Sequence, residues 1–130
     1  MQFIAHLTDG RHVTEQDIIS LGVSRPFAIV QELEREGALA AFSVALPNVT
    51  ATVDLTTGPL TIGGEVVSCE RPAEPLRLIY YKRMSADLGS FDAVMEFVAI
   101  GWQATVAGKN VRFGVRLYPG VKHFIVGEDI

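Results

Sequence analysis

Cysteine is almost absent from this chain. A single one, Cys69, stands among 130 residues, so neither an internal disulfide nor a thiolate metal cluster can form, and a reducing cytoplasm is the expected setting. No apolar run approaches the roughly 20 residues of a membrane-spanning helix. The opening Met1-Gln2-Phe3-Ile4 lacks the charged region and apolar stretch of an export signal. These lacks predict a soluble, cytoplasmic protein with no membrane partner. Repeats, low-complexity tracts and Pro/Ser-rich linkers are missing too, which at this length predicts a single domain over residues 1–130. Apolar residues at 48% against 20% charged exclude a disordered chain.

Catalytic signatures are equally scarce. Serine-nucleophile motifs and a Walker-type phosphate loop are absent, and Gly63-Gly64 reads as a turn. The three histidines are His6, His12 and His123. His6 and His12 fall on opposite arms of the first predicted hairpin, but without a carboxylate or cysteine partner no metal site is assigned. Cys69 stands beside Glu70, whose charge opposes formation of a thiolate, so it reads as a structural thiol. Glu32 and Glu36 share a helix face and read as solvated. No catalytic residue and no cofactor is assigned, and the chain is not expected to be an enzyme.

What the sequence does hold is a lopsided charge distribution. Residues 1–70 carry three basic and nine acidic side chains, whereas residues 71–122 carry eight basic and four acidic ones. The overall charge of −4 argues against wholesale coating of nucleic acid. An acidic first half joined to a basic second half is instead compatible with one local anion site.

The patterning predicts an α+β fold, a mainly antiparallel β-sheet with one or two short helices near the N-terminus. Gln2–Thr8 and Arg11–Val13 flank Asp9-Gly10, a two-residue hairpin signal. Thr14 reads as the N-cap of a short helical segment through Ser20, and Ser24 with Pro26 as the start of a longer helix stopped by Gly37. Strands are expected over 38–46, 49–55, 60–62 and 65–69. A proline-containing connector over 70–75 leads to a strand over 76–84, and residues 85–91 read as a polar loop. A hairpin of 94–106 with 110–118 turns about Ala107-Gly108-Lys109, and a last strand covers 122–126.

The basic residues concentrate in this second half. Alternation places Arg77, Ile79, Tyr81 and Arg83 on one face of the 76–84 strand, and Asn110, Arg112, Gly114, Arg116 and Tyr118 on one face of the 110–118 strand. An arginine pair about a glycine leaves room for a flat ligand, and each guanidinium offers a planar fork to a phosphate. Tyr81 and Trp102 can stack on a base, and Gln103 and Asn110 carry amides that read a base edge or a ribose hydroxyl. The competing reading of Trp102 and the tyrosines is that they are core.

Ile79-Tyr-Tyr-Lys-Arg83, Ile100-Gly-Trp-Gln103, Thr105 and Gly108-Lys-Asn110 together resemble a phage-encoded family, the first-described Thoeris anti-defence proteins, over residues 76–118. The resemblance implies a small α+β sponge working in the host bacterial cytoplasm during infection. Such proteins hold a cyclic ADP-ribose signal intact (glycocyclic ADP-ribose being the first ligand to try), and related members trap cyclic oligonucleotides of other defence systems. It also implies a homo-oligomer, a dimer or a hexamer, and it places Arg83, Gln103, Asn110 and Trp102 in the pocket. Arg77, Arg112 and Arg116 join them from strand alternation alone.

Two other classes stay open: a protein-binding inhibitor, and a small DNA-binding phage regulator reading through Ser24–Glu36. Ile18–Arg25 has helix-turn-helix spacing with Gly22 at the turn. The following helix, however, sets three glutamates against two arginines, the wrong balance for facing phosphates.

Overall fold

Successive side chains of β1 (Gln2–Leu7) point to opposite faces, so Phe3, Ala5 and Leu7 are buried while Gln2, Ile4 and His6 turn the other way. The computed structural model describes residues 2–56, 58, 60–67, 75–85, 95–120, 124–128 and 130. The chain divides into two compact units, Met1–Val67 and Ser68–Ile130, each with its own antiparallel sheet. The one meander-like sheet expected from the sequence is thus two sheets. β6 ends at Val67 and β7 begins at Arg77, with Pro72 and Pro75 between them in sequence, and proline has no N–H to extend a ladder.

In the first unit the strand order is β2-β1-β3-β4-β5-β6, built from β2 (His12–Thr14), β3 (Leu39–Ala45), β4 (Thr50–Asp54), β5 (Leu60–Ile62) and β6 (Glu65–Val67). The β1–β2 connection is a three-residue loop rather than the expected two-residue turn. Leu7 N–H donates to the Arg11 carbonyl across Thr8-Asp9-Gly10, and only Gly10 takes a positive φ, +89°. Asp9 accepts from both the Arg11 backbone N–H and its Nε, and these bonds hold its carboxyl below the usual carboxylate range.

The two short helices follow as anticipated. α1 (Glu15–Ile19) opens on a capping box in which Thr14 Oγ1 accepts from Asp17 N–H and Asp17 accepts from Thr14 N–H. α2 (Pro26–Arg35) has proline in its first turn, but its N-cap is Arg25 with no side-chain cap, not Ser24. It ends in a Schellman motif: Gly37 at φ +74°, its N–H to Glu34 and Ala38 N–H to Leu33. Phe27 of α2 meets Phe3 and Phe42 edge-on at 6.4 and 5.5 Å, and Val30 is fully buried. Each such large apolar side chain removed from water contributes about 1.5–3 kcal/mol. No described helix is long and apolar enough to cross a membrane.

In the second unit the order is β10-β9-β8-β7, from β7 (Arg77–Ser85), β8 (Met95–Val106), β9 (Lys109–Leu117) and β10 (Phe124–Glu128). One face carries the buried Leu78, Val98, Ile100, Trp102, Ala104, Phe113, Val115 and Leu117. The opposite face carries the arginines. Most of the expected 70–75 connector and of the 85–91 loop, with Cys69 and His123, lies outside the described residues.

Candidate functional site

Strand register places the predicted ligand residues in cross-strand rows. Arg77 pairs with Gln103 and Gln103 with Arg112, so two guanidiniums flank one amide in a line across β7, β8 and β9. Thr105 and Asn110 pair one row further towards the β8–β9 turn, and the Thr105 hydroxyl donates to Asn110 Oδ1 at 3.2 Å. In the other direction come Ile79–Gly101–Gly114–Gly127, then Tyr81–Ala99–Arg116–Ile125, then Arg83–Phe97. Arg77, Tyr81, Arg83, Gln103, Asn110, Arg112 and Arg116 therefore share one face.

Trp102 does not join them. It follows strand parity to the buried face, 2% exposed, and stacks on Phe113 with ring centres 5.8 Å apart. Adjacent residues of a strand point to opposite faces, so the Trp102 side chain lies on the face away from the Arg77–Gln103–Arg112 row. Its assignment to the ligand site is corrected: Trp102 is core.

The space above the glycine row is not open to a ligand either. A Cβ on Gly101 would lie 2.2 Å from the Phe113 carbonyl oxygen and 2.7 Å from Gly114 Cα. The two glycines thus let β8 and β9 approach closely. Gly114 is further faced by Ile130 Cδ1, 3.0 Å from where its own Cβ would be. Ile130, 5% exposed, belongs to a cluster with Phe97, Ala99 and Tyr118, against which Ile79 and Tyr81 pack. The Tyr81 hydroxyl donates to the Ile130 carbonyl. Tyr81 is thereby committed to holding Ile130, and the expectation of a flat ligand beside Gly114 is corrected.

Ile130 divides the arginine face in two. On one side Arg83 lies over the Tyr81 ring at 4.9 Å and Arg116 over the Phe97 ring at 5.3 Å, cation–π contacts that tie both guanidiniums to aromatic faces. Arg116 Nε is buried and meets no acceptor among the described residues. On the other side, near the start of β7, a cleft of about 290 Å³ is lined by Pro75, Arg77, Gln103, Ala104 and Thr105, and Arg112 and Asn110 stand outside its lining. Among the described residues, none of Arg77, Arg83, Arg112 and Arg116 pairs with a carboxylate.

The open half is thus Arg77, Gln103 and Arg112 with Thr105 and Asn110 beside them. Neighbouring strands lie about 4.8 Å apart, so the two arginines start about 10 Å from each other with the amide between. Their forks can converge on one phosphate or hold two, while Gln103 supplies both a donor and an acceptor. Pro75, Ala104 and Thr105 were not anticipated as lining residues. Thr105 was findable, because it stands two positions beyond Gln103 on the same face, whereas Ile130 reaches Tyr81 across 49 residues of chain and leaves no local signal.

The DNA-reading alternative rests on α2. α2 turns Val30 inward, and on its exposed side Arg35 is paired with Glu32 at 2.8 Å. No family model, no curated protein and no solved structure matches the chain.

Proposed function

We propose that this protein is a non-enzymatic binding module that sequesters a cyclic nucleotide signal on the Arg77–Gln103–Arg112 row and holds it uncleaved. The observation that carries the reading is that row, two arginines without a described carboxylate partner on either side of an amide, beside a cleft. The described side chains of this face are guanidinium, amide, hydroxyl, aromatic and aliphatic groups. Such a set grips an anion and reads a base edge, and its described members include neither a histidine nor a carboxylate, the side chains that most often move a proton in catalysis. This is the chemistry of a sponge, the role implied by the resemblance to the phage Thoeris anti-defence family.

Cleft size refines the proposal. At about 290 Å³ it sits at the lower end of small-molecule sites, which span about 300–1,000 Å³. It takes a mononucleotide-sized portion of a ligand. Glycocyclic ADP-ribose or a cyclic oligonucleotide needs a second wall, and a second copy of the chain in a homo-oligomer would provide it. Enclosure from both sides also supports nanomolar retention, about −12 kcal/mol, of the kind a competitor of a receptor requires.

The test is capture and release. The purified protein is mixed with glycocyclic ADP-ribose and a panel of cyclic di- and trinucleotides, washed and heated, and the supernatant is analysed by mass spectrometry. An intact nucleotide in stoichiometric amount is the expected result, with Arg77→Ala and Arg112→Ala each lowering retention at least tenfold while the fold is kept. Recovery of no nucleotide, or equal retention by both variants, overturns the proposal.

A further inference from the structure

The other face of the first sheet holds a feature that the arginine site does not use. His6 and His12 are direct cross-strand partners on β1 and β2, and their rings lie with centres 4.7 Å apart at 72° to one another. His6 Nε2 is hydrogen-bonded to Ser43 Oγ at 3.0 Å, and Ser43 Oγ in turn to Thr52 Oγ1 at 2.9 Å. Ser43, 7% exposed, is the buried polar residue among the described ones. Its hydroxyl is therefore a fixed partner rather than a mobile one. One imidazole is thus oriented from behind by two hydroxyls reaching across β3 and β4, and the second is exposed and free to adjust.

We propose that His6 and His12 form a two-imidazole site for a transition-metal dication of the Zn²⁺, Ni²⁺, Cu²⁺ class. The spacing carries the inference. An imidazole nitrogen sits about 2.0–2.1 Å from such an ion and the ring centre about 1.1 Å beyond, so two rings at about 90–110° on one ion have centres about 4.5–5.2 Å apart. The observed 4.7 Å falls inside that interval. With Nε2 engaged by Ser43, Nδ1 is the His6 nitrogen left for the ion. This is the arrangement in which an outer hydrogen bond fixes the ring and its tautomer.

Among the described residues no third His, Cys, Asp or Glu completes a cluster, so water fills the remaining positions. Two imidazoles favour the ions that bind nitrogen best, with Cu²⁺ ahead of Ni²⁺ and Zn²⁺.

The experiment uses the untagged full chain, titrated with NiCl2 and then ZnCl2 by calorimetry at pH 7.5, with thermal melting as a second readout. One saturable ion per chain and a raised melting temperature are expected. His12→Gln changes an exposed residue and is expected to weaken binding at least tenfold and abolish the thermal shift. Ser43→Ala is expected to weaken it about tenfold through loss of ring orientation, with the His6 ring changing its tautomer signature by NMR. His123→Gln should titrate as the parent does. Absence of saturable binding in the parent, or equal binding by His12→Gln, overturns the proposal and leaves the ring pair as a packing contact only.

Discussion

His6 shows how far one side chain's surroundings set its behaviour. Burial removes water from the ring and His12 adds like charge when protonated, so the folded state disfavours His6⁺. Asp54 ends the same cross-strand row, two strands away through Ala41, and its carboxylate is already occupied by the backbone N–H and hydroxyl of Thr56. Because the folded pKa lies below the unfolded value of about 6.5, the unfolded chain binds more protons between the two. Stability is therefore full above about pH 6.5 and declines as pH falls through that value towards the folded pKa. Melting temperature recorded from pH 7.5 to pH 5 should fall, and His6→Gln should flatten the part of the decline that this ring causes. A second residue-scale expectation concerns Gly101. Its added Cβ would meet backbone atoms of β9 at 2.2 and 2.7 Å, which no side-chain rotation can relieve. Gly101→Ala should cost about 3 kcal/mol in chemical denaturation.

At the scale of elements, what was legible in the sequence was what is local. The N-cap at Thr14, the proline in the first turn of α2 and the Gly37 stop are each set by residues a few positions apart, and each formed as read. Turns were harder. Asp9-Gly10 carried the two-residue signal but closes a three-residue loop, whereas the tight two-residue turn falls at Ala107-Gly108, with φ of +50° and +78°. Val106 pairs directly with Lys109 there, so β9 starts one residue before the expected strand. Ala107 is the one non-glycine residue with positive φ among those described, a conformation costing about 1 kcal/mol. Ala107→Gly should therefore raise stability by up to about 1 kcal/mol without altering ligand retention, as urea unfolding would show. Of the candidate site, strand parity gathered Arg77, Tyr81 and Arg83 on one face of their strand and Asn110, Arg112 and Arg116 on one face of theirs, while joining the two with Gln103 took the register of β7, β8 and β9. The same parity should have removed Trp102, since Gln103 beside it was already placed there. Which strands pair, and that Ile130 covers Gly114, depends on contacts between residues far apart in the chain, and no periodicity announces them.

For the whole molecule, charge is segregated along the chain, and the second unit carries eight of the eleven basic residues. Ligand association on the arginine row should therefore depend on ionic strength. Raising salt from about 0.05 to about 0.5 M shortens the Debye length from more than 10 Å to less than 5 Å and should weaken retention several-fold. The effect should be smaller in Arg77→Ala, and unchanged in Gln103→Ala, whose amide carries no charge. Equilibrium binding at three salt concentrations separates these cases.

The pinch between Gly101 and Gly114 bears on this row in a further way. Those two backbones meet so closely that β8 and β9 are pinned against sliding, since any slip of one residue would bring a side chain into the gap and turn Arg112 away from Gln103. The donors are consequently in line before any ligand arrives. If the proposed ligand binds here, its capture should require no refolding of the sheet, with a rate set by diffusion and the electrostatic pull of the arginines and a residence time set by how many of those forks must release together.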